Sequence, residues 1–328
     1  MGVGPEADLI RSAGRSKPST LIRASEEALA TEINATSDDR IGGYRYVRTI
    51  HPGATSVVME VLQESTQRRF ALKQLLASRA ADREEYKAFM HEAKLGMELR
   101  HPNLIKVNEF VKDPSQPYFV MELFTGLHLK LPIARPSIYP MPKRLLHRII
   151  EQAGSALAYM HDHGWVHRDV KPENILFNRS GEVRVIDYAL ARRLATGLRK
   201  MFAGKMNREG TKTYISPEQI RCESPTPGVD IYSLGISCYE LACGRPPFRA
   251  NSSQELLEKH LNERPLPLTN HNKLVTPEFN ELVLKMIQKR PADRFSSLHE
   301  FMTRFRTVRI FLDDPDPMAI PGSGPRMS

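Results

Sequence analysis

The densest concentration of chemically capable side chains is His167-Arg168-Asp169-Val170-Lys171-Pro172-Glu173-Asn174, and thirteen residues after Asn174 comes Asp187, just past the apolar run Val183 to Ile186. Two carboxylates, an amide and a lysine offer a proton acceptor, oxygen donors suited to a hard cation, and a charge that can neutralise an anion. Each residue alone has a plainer reading: an Asp before Val ends a loop, and an Asn caps or turns the chain. Only the combination points to chemistry, and it needs a scaffold that gathers its members.

That scaffold starts with short runs rich in Val, Ile, Tyr or Phe, the signature of strands: Tyr44 to Ile50, Ser56 to Gln63, Arg69 to Leu75, Ile105 to Val111 and Tyr118 to Leu123. Between the third and fourth lies a helical stretch, Asp82 to Arg100, in which Phe89, Ala93, Leu95, Met97 and Leu99 can pack while Arg83, Glu84, Glu85 and Lys87 stay wet. From Lys143 onward the period is helical, with Leu145, Ile149, Ala153, Ala156 and Met160 three or four apart. A small β-rich unit therefore precedes a larger helical one.

The stretch 167–174, with Asp187 behind it, resembles the catalytic loop of the eukaryotic-type (Hanks-type) protein kinase family. The resemblance implies an α+β, two-lobed fold: a small five-stranded antiparallel β lobe with one helix at residues 41–123, and a larger mainly helical lobe at 124–312. It implies transfer of the γ-phosphoryl group of ATP to Ser or Thr hydroxyls, a reaction that depends on positioning and charge neutralisation. Asp169 then serves the substrate hydroxyl, Lys171 approaches the γ-phosphate as in the serine/threonine branch, and Asn174 and Asp187 hold Mg²⁺, with Mn²⁺ as the alternative ion.

Further matches follow in order. Lys73, after Ala71-Leu72 at a strand end, corresponds to the lysine that contacts the α- and β-phosphates, and Glu92, nineteen residues on, to its helical partner. Met121-Glu122-Leu123-Phe124 resembles the hinge, with Met121 at the gatekeeper position and backbone near Glu122 and Phe124 facing the adenine. Gly53, Val58, Ala71 and Leu176 complete the expected nucleotide site. Tyr214-Ile215-Ser216-Pro217-Glu218 resembles the end of the activation segment, Asp230 opens a long apolar helix, and Glu218 with Arg294 is expected as a buried ion pair.

Two positions depart from the family pattern. Aligning Val58 puts His51, Gly53 and Ser56 where three glycines are expected, and the metal-binding triplet reads Asp187-Tyr188-Ala189. Glycine lets backbone N–H groups approach phosphates closely, so loop mobility and nucleotide affinity are affected. A pseudokinase scaffold that binds nucleotide without turnover is the alternative reading, and a small-molecule kinase of related fold is a third. The segment from Asp187 to Glu218 is basic, with Arg192, Arg193, Arg199, Lys200, Lys205, Arg208 and Lys212, which suits acidic protein substrates. The position of the family's activating phosphothreonine falls on Asn207; Thr211 matches the threonine that orients the catalytic loop, and Thr196 and Thr213 are the remaining hydroxyls.

Composition sets the outer bounds. With 41% hydrophobic and 26% charged residues the chain is globular, and no stretch reaches the ~18 apolar residues of a spanning helix. The formal charge of +9 is spread along the chain without a nucleic-acid-binding motif. Three cysteines, Cys222, Cys238 and Cys243, are too few for a disulfide framework, and the first thirty residues lack the apolar core of a secretory signal, so a cytoplasmic protein is expected. Residues 1–40, with a short helix at Ser25 to Asn34, and 313–328 are expected as flexible arms.

Overall fold

The computed structural model describes residues 40–113, 116–194 and 209–314. Nearly all of the expected N-terminal arm, with its Ser25 to Asn34 helix, lies outside the described residues, as do Thr196 and Asn207 and all but the first two residues of the expected tail. Of those two, Asp313 pairs with Lys143 at 2.9 Å.

The small lobe is an antiparallel sheet of β1 (Arg40–Ile41), β2 (Tyr44–Pro52), β3 (Ser56–Gln63), β4 (Arg68–Leu75), β5 (Val107–Val111) and β6 (Tyr118–Glu122), in the order β1-β2-β3-β4-β6-β5. The five expected strands are all present. The sixth, β1, is two residues folded back on β2 through Gly42-Gly43, where Gly42 takes φ +58. Alternation sends successive residues of β6 to opposite faces. Val120 packs with Val61 and Leu72 on one side, and Phe119 meets Phe89 and Ala93 of the helix on the other.

A single turn, α1 (Ala77–Ala80), precedes the main helix of this lobe, α2 (Arg83–Glu98). Asp82 accepts from the backbone N–H groups of Glu84 and Glu85, which fixes the start one residue later than the periodicity suggests. Where α2 crosses β5 the backbones come close: a Cβ on Gly96 would lie 2.4 Å from Val107 Cγ2 and 3.4 Å from the Tyr188 ring. β5 itself begins at Val107 because Ile105, just before it, bonds across to the large lobe: its N–H donates to Val185 O at 3.0 Å, while Val185 N–H donates to Asn103 O at 2.8 Å.

The large lobe contains β7 (Leu127–His128), α3 (Lys130–Ala134), α4 (Lys143–Asp162), β8 (Trp165–Val166), β9 (Ile175–Phe177), β10 (Val183–Val185) and β11 (Arg192–Arg193). It continues with α5 (Pro217–Ile220), α6 (Pro227–Cys243), α7 (Ser253–Asn262), α8 (Leu268–His271), α9 (Pro277–Met286) and α10 (Leu298–Phe305). Helix α6 is buried on nearly every side, as an all-round apolar helix must be. Its serines stay satisfied by donating to carbonyls: Ser237 Oγ to Ser233 O at 2.9 Å, and Ser233 Oγ to Tyr214 O at 2.8 Å. Among the described residues no helix is long and apolar enough to cross a membrane.

The Gly96 contact yields a test. Val107 is 1% exposed and stiff at χ1, so it has nowhere to move. Gly96→Val is expected to destabilise the chain by about 1–3 kcal/mol in denaturant unfolding; unchanged stability would show that the crossing is looser than described.

Candidate active site

The catalytic loop joins β8 to β9, and its first residues adopt a conformation that sequence alone disfavours. Arg168 has φ +70, and Asp187, at the end of β10, has φ +69, both left-handed positions held by non-glycine residues. What holds the loop is Asp230 on α6, whose side chain is 0% exposed. Its Oδ2 accepts from His167 N–H and its Oδ1 from Arg168 N–H, each at 2.8 Å, and His161 Nε2 lies 2.8 Å from Oδ2. Burial works against its charge, yet His161, His167 and the Arg168 N–H hold the carboxyl below the usual carboxylate range.

The loop so fixed delivers Asp169. Oδ2 accepts from Lys171 Nζ at 2.6 Å and Asn174 Nδ2 at 3.2 Å; Oδ1 accepts from the Thr211 N–H at 3.1 Å and hydroxyl at 3.0 Å. Lys171 also donates to the Thr211 hydroxyl at 2.7 Å. Two groups of the same loop, Lys171 and Asn174, and one from the distant Thr211 thus hold one carboxylate in one orientation. The amide nitrogen of Asn174 is spent on Asp169, with a second bond to its carbonyl at 2.9 Å, which leaves the amide oxygen for another partner.

The small lobe contributes Lys73 on β4, whose ammonium donates to both oxygens of Glu92 on α2 at 2.7 Å. Burial opposes the ammonium, but Glu92 and Asp187 hold it above its usual range. For Glu92 burial dominates and pushes the carboxyl up to about 7, against the pull of Lys73. Glu92 therefore gains its charge, and the ion pair its full strength, as the pH rises through about 7. Asp187 faces the same charges: burial raises it, but Lys73, His167 and Lys171 hold it low, and it accepts from Ala189 N–H at 3.4 Å.

The remaining expected residues take the following places in the fold. Val58 pairs with Lys73 across β3 and β4 and with His51 across β2 and β3, and Ala71 pairs with Met121 across β4 and β6. Gly53 closes the β2–β3 hairpin by donating to Ser56 O at 2.9 Å, where a Cβ would stand only 2.7 Å from that oxygen. The surviving glycine is thus required by the turn, and Ser56 in β3 pairs with Leu75 in β4. Glu122 spends its carboxylate on Lys106 N–H at 3.0 Å and Arg184 at 3.1 Å, and the Arg184 guanidinium lies 5.1 Å from the Phe124 ring centre. Leu176, half-buried, pairs with His128 of β7.

Tyr188, in place of the family's Phe, is buried, with its hydroxyl 3.2 Å from the carbonyls of both Ile105 and Val185. The expected pair Arg294 and Glu218 is present, doubly bonded at 2.6 and 2.9 Å. Sequence reasoning did not find the organising role of Asp230. It also missed a triad that joins α3 to α6, in which Lys130 donates to Glu240 at 2.6 Å and to the Tyr214 hydroxyl at 2.9 Å while Tyr214 donates to Glu240 at 2.6 Å.

Residues 44–305 match the family model of the protein kinase domain. The chain belongs to the protein kinase domain family. It is 36% identical over 238 residues to the serine/threonine-protein kinase PknB of Mycolicibacterium smegmatis, a match that covers 71% of this chain and 37% of the relative. It is 32% identical over 288 residues to the serine/threonine-protein kinase PknA of Mycobacterium tuberculosis, covering 86% of this chain and 65% of the relative. The chain thus spans between about a third and two thirds of the length of these relatives. Family membership implies use of ATP and a divalent metal.

The Lys73–Glu92 pair gives a signed prediction. In Lys73→Met the burial of Glu92 remains but the attraction that lowers its pKa is gone, so the carboxyl must titrate above about 7. Carbon-13 NMR of labelled glutamate measures this; a Glu92 value near the ordinary 4.5 in Lys73→Met contradicts the described burial.

Proposed function

We propose that the chain is a serine/threonine protein kinase that transfers the γ-phosphoryl group of ATP to protein hydroxyls. The observation that carries the reading is the Asp169 carboxylate held at once by Lys171, Thr211 and Asn174. A carboxylate in fixed orientation with a lysine 2.6 Å away suits a reaction in which a hydroxyl must lose its proton beside a gathering negative charge. Asp169 accepts the hydroxyl proton as the oxygen bonds to the γ-phosphorus and the bond to ADP breaks. Lys171 stays beside the transferred group, and Lys73, aligned by Glu92, neutralises the α- and β-phosphates.

The donor set suits a hard divalent cation, Mg²⁺ first and Mn²⁺ as the alternative: the free amide oxygen of Asn174 and the low-pKa carboxylate of Asp187 are both oxygen ligands. When bound, the ion supplies charge neutralisation on the phosphates. Gly53, Val58, Ala71, Met121, Glu122, Phe124 and Leu176 form the adenosine side of the cleft in this reading. Lys212, exposed beside Thr211, and the other basic residues of the segment favour substrates with acidic flanks. A cytoplasmic location fits the three free cysteines.

Labelled ATP with Mg²⁺ or Mn²⁺, read by mass spectrometry, tests the assignment. Wild type is expected to yield phosphoserine or phosphothreonine, and Lys73→Met or Asp187→Asn to lose roughly 10²-fold or more of the transfer rate with an unchanged unfolding midpoint. Nucleotide binding with no transfer would instead support the pseudokinase reading, and phosphotyrosine alone would defeat the hydroxyl class.

A further inference from the structure

Arg168 raises a question that the catalytic mechanism does not answer. Its side chain is 2% exposed, next to Asp169 in sequence, and a buried guanidinium needs a counter-ion. Asp230 attracts it only through space and less than Glu209 does, because the Asp230 oxygens are committed to two backbone N–H groups and His161. The family's usual anion for such an arginine is a phosphate on the activation segment, where charge added by phosphorylation orders the segment. Here the corresponding position is Asn207, which has no hydroxyl to phosphorylate.

The anion found instead is a carboxylate of the chain itself. Arg168 Nη1 donates to Glu209 Oε2 at 3.1 Å, and Arg192 Nη2 lies 3.6 Å from the same oxygen. The neighbouring backbone is fitted to this contact. Gln219, buried on α5, donates through one amide group to both Arg168 O at 2.9 Å and Glu209 O at 3.2 Å, which ties loop and segment together. Gly210 has φ +116, and a Cβ there would meet Arg168 O at 3.3 Å. Thr211 then reaches Asp169. Three consecutive residues, Glu209-Gly210-Thr211, therefore clamp the two residues Arg168 and Asp169.

We propose that Glu209 is a built-in counter-ion for Arg168 that positions the catalytic loop, so that this kinase is competent without a phosphoryl group on its activation segment. The inference rests on the kinase reading above and concerns the regulation of that same site. Glu209 touches no reacting atom; it acts through Arg168 and the backbone that leads to Asp169.

The test uses the full chain, treated with a protein phosphatase until mass spectrometry finds no phosphate, with casein as acceptor. Wild type is expected to keep its initial rate within about twofold after phosphate removal. Glu209→Gln is expected to lower kcat by about tenfold or more with KM for ATP changed less than about threefold, and Glu209→Asp to recover part of the loss. A second measurement needs no activity: amide hydrogen exchange at residues 167–171 and 209–214 should quicken by about tenfold in Glu209→Gln while α6 stays protected. Loss of wild-type activity on phosphate removal overturns the proposal, as does Glu209→Gln with wild-type kcat and exchange. If wild type transfers nothing under any condition the kinase reading fails, and the exchange measurement still decides whether Glu209 orders the loop.

Discussion

A single carboxylate without access to water sets the geometry of the catalytic centre. Asp230 sits on a helix surrounded by core, and a charge in that place is tolerated because both of its oxygens are hydrogen-bonded. The donors are the backbone N–H groups at the start of the catalytic loop, so the loop cannot relax away from the core without stranding the charge. The left-handed conformation of Arg168 persists for the same reason: the strain is small beside the desolvation that its release would cause. The orientation of Asp169, the reach of Lys171 and the docking of Thr211 follow from that anchored backbone.

The small-lobe side of the site is built on different physics. Lys73 and Glu92 come from a strand and a helix held together by apolar packing, Phe119 against Phe89 and Ala93, with Gly96 allowing close approach to Val107. Their ion pair is poised, since burial favours a neutral Glu92 and Lys73 favours a charged one. The two lobes meet through backbone bonds between residues 103–105 and Val185, two residues before Asp187, and the Tyr188 hydroxyl bonds to the same junction. Replacing the family's Phe by Tyr therefore adds a tether where an apolar ring alone would rely on packing.

How much of this was legible depended on where the partners lie. Asp169, Lys171 and Asn174 could be read because they are contiguous, Asp187 because it ends an apolar strand at a fixed offset, and Lys73 and Glu92 because strand and helix periods framed them. Asp230 was legible only as a helix opener: its partners are backbone groups more than sixty residues away, and backbone donors leave no mark in a sequence. The triad of Lys130, Tyr214 and Glu240 spans up to 110 residues and joins elements whose packing no periodicity specifies. Strand β1 and helix α1 were missed because two and four residues are too few to display a period.

The most direct test of the account is the Asp230→Asn variant in steady-state phosphoryl transfer, with nucleotide affinity measured alongside. The amide keeps the size but replaces one acceptor by a donor, so a loop N–H or His161 loses its partner inside the core. The account predicts that kcat falls by about 10²-fold while ATP affinity, which the proposed function assigns to the other lobe, changes less than about threefold. A kcat within about twofold of wild type would contradict it, because the catalytic loop would then be held by something other than that buried carboxylate.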